Sequence, residues 1–380
     1  MLTRLNENKY IKFFYWFLVL GACVAFFFDT YENGHDFDVF YRAGYFFLKG
    51  QSIYSLERDH GMIFKYPPWF AVIFSPLALL PVYLAKGAWG LLGAISFLSI
   101  QRSLTRFGFS FLSIALPTVC FWGIWAVHFI DGQVEIPVLA VFLLLLEKNL
   151  KTERLALTSS VLLLMSIKIT SGVAAFGVIT KKNLLKLVMV SSVIGIVSSL
   201  VIGMATGDGA SIIPKWLAAA QSGSAYMEVG KSMGRDNQGI PAAFDRSLNM
   251  PKDHKFELER KLALMILFLG TAIFLFLFRG LPKLEKSFFW LSAAVVLHPL
   301  AWFHLFVWTL PLLVWVTDKA LQQKKYRYWL LTPLLVGLVT EKTMGDLGKW
   351  LEFYSFKSWV VTLTLIYFSF YLSKTRLKKL

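Results

Sequence analysis

Acidic side chains are scarce in this chain. Its 380 residues hold 23 Asp and Glu against 39 Lys and Arg, and only 16% of the sequence is charged while 56% is hydrophobic. A soluble fold of this length cannot hide so many apolar runs of spanning length, so the shortage of charge points to an integral membrane protein. Cysteine is nearly absent as well. Cys23 and Cys120 both fall within apolar runs, which excludes a disulfide framework. Also missing are zinc-ligand spacing, a phosphate-cradling glycine loop, a dinucleotide fingerprint and Gly-x-Ser-x-Gly. Nucleotide-driven chemistry is thereby disfavoured, and a substrate delivered in the lipid is favoured. The net charge of +16 would suit a nucleic acid, but the basic residues sit in short connectors and form neither a basic face nor a known motif. No nucleic-acid partner is expected. No small-x-small cleavage site follows the apolar run from Phe13 to Phe28, so that run reads as a retained span.

What is present is a succession of apolar segments. The predicted spans are 11–28, 82–101, 109–130, 133–147, 155–168, 170–180, 184–206, 261–279, 286–303, 304–317, 326–342 and 357–373. All are taken as helices, because an open strand edge cannot face lipid. The expectation is one all-α polytopic domain over residues 1–380 with about 12 transmembrane helices, some of them half-spans. With the N-terminus inside, Arg4, Lys9, Lys12, Arg102, Arg106, Lys148, Lys151, Lys181, Lys182, Lys283, Lys319, Lys324 and the basic tail from Lys374 all fall inside. Basic residues far outnumber acids on that side. This obeys the positive-inside rule, puts both termini in the cytoplasm, and leaves two long outer segments, 29–81 and 207–260.

The first outer segment carries an amphipathic stretch, Phe37 to Lys49, stopped by Gly50, that fits a helix lying in the interface. Pro67 and Pro68 then impose an extended entry to an apolar run broken by Pro76 and Pro81, which reads as a re-entrant segment rather than a span. Asp36 has two compatible readings: a general base for a hydroxyl nucleophile, or the N-cap of that helix. Asp38 suits the first turn of the helix. Together they spell Asp-x-Asp, the acid pair of many metal-dependent sugar transferases, but the soluble α/β domain of those enzymes is missing. Lys168 lies in an apolar stretch and needs a partner, either an anionic phosphate or the interface to which it snorkels. Asp131, Gly132, Gln133 and Glu135 form a polar knot that is either a tight turn or part of a site. His298 and His304 flank Pro299 and Trp302, as buried structural rings or as acid–base and phosphate contacts. Arg235, Asn237, Gln238 and Arg246 form either a solvated run or an anion-binding cluster.

Taken in order, several short motifs carry a resemblance. They are Asp36-Phe37-x-Val39-Phe40-Tyr41-x-Ala43-Gly44, Gly50-Gln51-Ser52-Ile53-Tyr54, Phe64-Lys65-Tyr66-Pro67-Pro68 and Pro76-Leu77-Ala78-Leu79-Leu80-Pro81. Gly132-Gln133-Val134, Ile167-Lys168, Asn237-Gln238, Arg246 and Pro299-x-x-Trp302-x-His304 follow. From about residue 29 to 317 the chain resembles glycosyltransferase family 87. These are polytopic C-type enzymes that include polyprenyl-phosphate-mannose-dependent α-1,2-mannosyltransferases. The resemblance implies inverting transfer of a hexose, mannose first, from a polyprenyl-phosphate sugar to a glycolipid or glycan hydroxyl. It places this at the outer face of the plasma membrane, with no metal or other cofactor beyond the lipid-linked donor. Asp36 would be the base and His304 the second catalytic residue. Asp38, Tyr41, Lys65, Tyr66, Gln133, Asn237, Gln238 and His298 would contact substrate, with Lys168, Arg235 and Arg246 at the donor phosphate. Glu135 stands where the family often has asparagine, so it receives no role.

Two other classes remain. A transporter or flippase of a lipid-linked or anionic substrate would also have many spans and an intramembrane lysine, although no repeated halves are visible. A non-catalytic membrane scaffold would have no need of Asp36.

Overall fold

The computed structural model describes residues 7–55, 58–59, 62–151, 184–221, 237–247, 282–298 and 301–377. The expected spans 155–168, 170–180 and 261–279, and most of the second outer segment, lie outside the described residues. Within them the chain is helical, and Asn237 pairs with Trp302 in an isolated antiparallel bridge.

Helix α1 (Lys9–Glu32) starts at Asn8, whose side chain accepts from the Tyr10 and Ile11 amides. Its 24 residues extend about 36 Å, enough for a tilted crossing. It runs beside α4 (Val82–Arg106), which begins directly after Pro81. Polar groups clip these apolar helices together: Tyr15 donates to Gln101 Oε1 at 2.9 Å, and Gln101 donates to Thr118 Oγ1 at 3.1 Å. In an apolar layer such bonds fix register, because the alternative is a polar group in hydrocarbon.

Between α1 and α4 the chain folds back as α2 (His35–Leu48) and α3 (Pro68–Ala78). The left-handed Gly50 stops α2 where the sequence predicts. At 11 residues, about 16 Å, α3 is too short to span, in keeping with the re-entrant expectation. The two helices nearly touch at Gly44, where an added Cβ would stand 2.8 Å from the Phe74 carbonyl carbon. Phe40 fills the rest of the contact, with its ring 5.0 Å from Phe74 and 5.1 Å from Tyr66.

The expected span 109–130 is two helices, α5 (Phe111–Cys120) and α6 (Trp122–Asp131), bent by 60° at Phe121. Pro117 lies inside α5 and supplies no amide for its last turn. After a short turn comes α7 (Glu135–Lys151), pinned at its far end by the Arg106–Glu147 pair at 3.1 Å. Helix α8 (Leu184–Ala205) turns Leu185, Val193, Val197 and Val201 outward, as a lipid-facing helix should. It leads through a 3-10 turn, Gly209–Ser211, to α9 (Ile212–Gln221).

The C-terminal part departs most from expectation. After α10 (Ile240–Ser247), α11 (Lys283–Val296) ends well short of residue 303. A 3-10 turn (Phe303–Thr309) then feeds α12 (Leu310–Gln322), which is buried on all sides through Asp318. Its apolar side chains pack against protein on every face, in the core. The predicted span 326–342 is a 3-10 turn (Lys324–Leu330) and the eight-residue α13 (Leu331–Leu338). Next comes α14 (Glu341–Phe353), which exposes Met344, Leu347 and Trp350 and buries Gly348 and Glu352. Helix α15 (Phe356–Leu377) closes the described chain. Among the described residues, three helices are long and apolar enough to cross a bilayer: Lys9–Glu32, Val82–Arg106 and Val188–Ala205. The bent pair α5–α6 adds a fourth if counted as one span.

Candidate active site

Two left-handed glycines bring the polar residues together. Gly34 (φ 56°) precedes α2, and its amide donates to the Ile130 carbonyl at 2.8 Å. Gly132 (φ 69°) ends α6: its own amide reaches back to Phe129 and the Gln133 amide to His128, each at 3.1 Å, the paired closure of a Schellman turn. The chains approach so closely that a Cβ on Gly132 would lie 2.9 Å from Phe37 Cβ and 3.2 Å from Gly34 Cα. Trp89 Nε1 donates to the Gly132 carbonyl at 3.0 Å and locks the turn.

This contact seats Asp36 opposite Gln133. Asp36 is the second residue of α2, not its N-cap. Gly34 holds that position and offers no side chain. The carboxylate still lies in the first turn, where the helix dipole favours charge. It is half-buried and accepts from Gln133 Nε2, whose side chain is 5% exposed. Asp38 points to a separate partner, Lys86 Nζ at 3.1 Å, which also donates to the Asn33 carbonyl at 2.7 Å. The Asp-x-Asp pair therefore divides between two partners.

Behind Gln133 the polar knot continues inward. Glu135 opens α7 with no solvent exposure. Its Oε2 lies 3.6 Å from His128 Nδ1 and its Oε1 3.7 Å from His304 Nε2, with His128 1% and His304 7% exposed. Asp131, at the end of α6, is close enough to feel the charges of both Asp36 and Glu135. His304 thus joins the Asp36 neighbourhood through a carboxylate that sequence reasoning left without a role. His128 was overlooked altogether. The available signal was the run of polar positions His128, Asp131, Gln133 and Glu135 across the end of an otherwise apolar helix.

Other expected site residues sit elsewhere. Tyr41 donates its hydroxyl to the Leu80 carbonyl at 2.8 Å, tying α2 to the end of α3. Tyr66 stacks on Phe70 at 4.9 Å, and its carbonyl accepts from Tyr54 at 2.6 Å. Burial pushes the Tyr54 phenol above its ordinary range, helped by the charge of Asp208, so it remains a donor. The Lys65 carbonyl accepts from Trp216 at 3.2 Å, while burial lowers the pKa of its ammonium.

Asn237, Gln238 and Arg246 form a staple. Asn237 Oδ1 accepts from the Gly239 and Ala301 amides at 3.1 and 3.0 Å, and Gln238 Nε2 donates to the Glu352 carbonyl at 2.8 Å. The Arg246 guanidinium donates to the carbonyls of Phe353 and Asn237 and to Ser355 Oγ, at 2.5, 2.9 and 2.6 Å. The staple reaches toward the active-site neighbourhood through Ala301 and Trp302, just before His304. His298 is half-buried at the end of α11, with its amide on the Val295 carbonyl. Lys168 and Arg235 lie outside the described residues.

Neither the curated proteins nor the solved structures contain a match to this chain. A family model does match, over residues 64–299, a narrower stretch than the motifs suggest. It contains Lys65, Gln133 and Glu135 and leaves Asp36 and His304 outside. The match covers more than half of the chain, and with the membrane-length helices it means that this protein is a glycosyltransferase belonging to glycosyltransferase family 87.

Proposed function

We propose that the protein is an inverting transferase that moves a hexose, mannose first, from a polyprenyl-phosphate sugar to a hydroxyl of a glycolipid or glycan. The reaction takes place at the outer face of the plasma membrane, within a C-type polytopic fold whose termini are cytoplasmic. The observation that carries this reading is the contact between Asp36 and Gln133 at the first turn of α2. An ionised carboxylate only accepts hydrogen bonds, so the Gln133 amide fixes its position while the helix dipole keeps it charged.

Asp36 takes the proton of the acceptor hydroxyl, and the acceptor oxygen bonds to the anomeric carbon as the carbon–oxygen bond to phosphate breaks. The electron pair leaves with the polyprenyl phosphate. In-line attack from the face opposite the phosphate inverts the anomeric centre. His304 faces the leaving phosphate, whose growing negative charge is best stabilised by groups fixed in advance. Lys168 and Arg235 are assigned to the same phosphate. The lipid tail contributes binding energy in the bilayer, and the short α3 lines its entry. Membership of a glycosyltransferase family disfavours the transporter reading.

The test incubates membranes containing the protein with radiolabelled polyprenyl-phosphate mannose and native lipid extract, comparing wild type with Asp36→Asn. Chelator-resistant product with wild type and none with the variant is expected. Product from both moves the base away from Asp36, and product from neither overturns the donor.

A further inference from the structure

The trio His128, Glu135 and His304 is not used for proton abstraction in the reading above, and among the described residues it forms a deeply buried group of titratable side chains near Asp36. An ionised carboxylate without solvent is costly unless a cation lies beside it. The N-terminus of α7 compensates part of the charge of Glu135. Histidine supplies the remainder most readily, since it takes up a proton near neutral pH.

The charged groups nearest the trio are of both signs: Lys357 of α15 stands over the ring of Phe303, next to His304 in the chain, at 5.3 Å. From α6 come His128 and Asp131, and Asp131 lies within reach of the charges of Asp36 and Glu135 without adding a positive one. On α4, Lys86 is engaged by Asp38 and Asn33, and Arg106 pairs with Glu147 at the far end of α7, with Arg102 about one turn before it. The charged residues of α11 (Lys283, Glu285 and Lys286) occupy its first turn, away from His298. His304 is the more exposed of the two rings.

We propose that Glu135 is a positioning residue for His304. Its buried carboxylate, backed by His128 on the other oxygen, holds a proton on His304, so that this ring meets the donor phosphate as a cation. The inference rests on the polyprenyl-phosphate reading above.

The test measures binding of a short-chain polyprenyl monophosphate to the purified full-length protein, with melting temperature as a check of folding. Glu135→Gln and His304→Gln are each expected to bind about tenfold more weakly, and the double variant no more weakly than His304→Gln. Glu135→Asp, which keeps the charge, is expected to stay within about threefold of wild type. Losses that multiply in the double variant, or equal losses for Glu135→Asp and Glu135→Gln, overturn the inference alone. No binding by wild type overturns the donor reading and the inference with it.

Discussion

Around Asp36 and around Arg246 the molecule arranges similar polar residues in different ways. At Asp36, side chains meet side chains: the carboxylate accepts from Gln133, and Glu135 stands between two imidazoles. At Arg246, side chains are largely spent on backbone and on a serine: the guanidinium and Gln238 join the α10 region to the turn between α14 and α15, and Asn237 accepts from the Ala301 amide. A polar group that satisfies a carbonyl holds a fold together. Under the proposed function, the carboxylate that Gln133 holds is the one that takes the acceptor's proton. Residue type does not separate the two cases, but the partner does.

The sharpest way to break this contrast is Asp36→Asn. It preserves shape and is expected to cost about 10²–10⁴-fold in transfer rate, with the melting temperature close to wild type. A comparable loss of melting temperature would make Asp36 structural, like Arg246. Gly132→Ala should come next, because it forces a side chain into a left-handed turn and against Phe37. Strain of about 1–3 kcal/mol is expected, together with a fall in activity as Gln133 is displaced from Asp36. Gln133→Leu tests the contact itself. An approximately tenfold loss of kcat with little change in stability is expected, since about one charge-assisted hydrogen bond is lost.

Arg246→Ala probes the other side. Three groups lose a buried donor, so about 2–4 kcal/mol of stability should go, read as a lower melting temperature. Activity per folded molecule is expected to hold. If activity falls while the melting temperature stays, Arg246 contacts the donor after all.

The long helices were legible in the sequence because apolar length is a local property, as for Lys9–Glu32 and Val82–Arg106. The stop at Gly50 and the shortness of α3 were legible for the same reason. Residues 304–317, expected as a span or half-span, form the end of a 3-10 turn and the start of α12, and their burial by protein was not legible because such a helix has the composition of one buried by lipid. Residues 109–130 were legible as one apolar run, but their division into two helices was not, because a proline in an apolar run does not announce a 60° bend. At the site, Asp36, Gln133 and His304 were marked by motif. Their link through Glu135 and His128 was hidden, because it depends on how the 3-10 turn Phe303–Thr309 packs on α6 and α7.

Lys65 belongs to neither side of the comparison, and pH can assign it. It lies outside the spanning helices, and burial lowers its pKa from the ordinary 10.5. The unfolded chain therefore keeps this proton to higher pH than the folded one. Below the folded value both states are protonated and the burial penalty is present in full. As pH rises from there toward 10.5 the penalty fades, and stability increases. Lys65→Met lacks this term, so its advantage in melting temperature over wild type should shrink toward alkaline pH. The effect is the smallest of the set because solvent still reaches the side chain. A phosphate bound beside the ammonium would favour its charged form. Adding polyprenyl phosphate should then stabilise wild type more than Lys65→Met, which would place Lys65 with the donor. Equal stabilisation of the two proteins would leave it a buried support, on the side of Arg246.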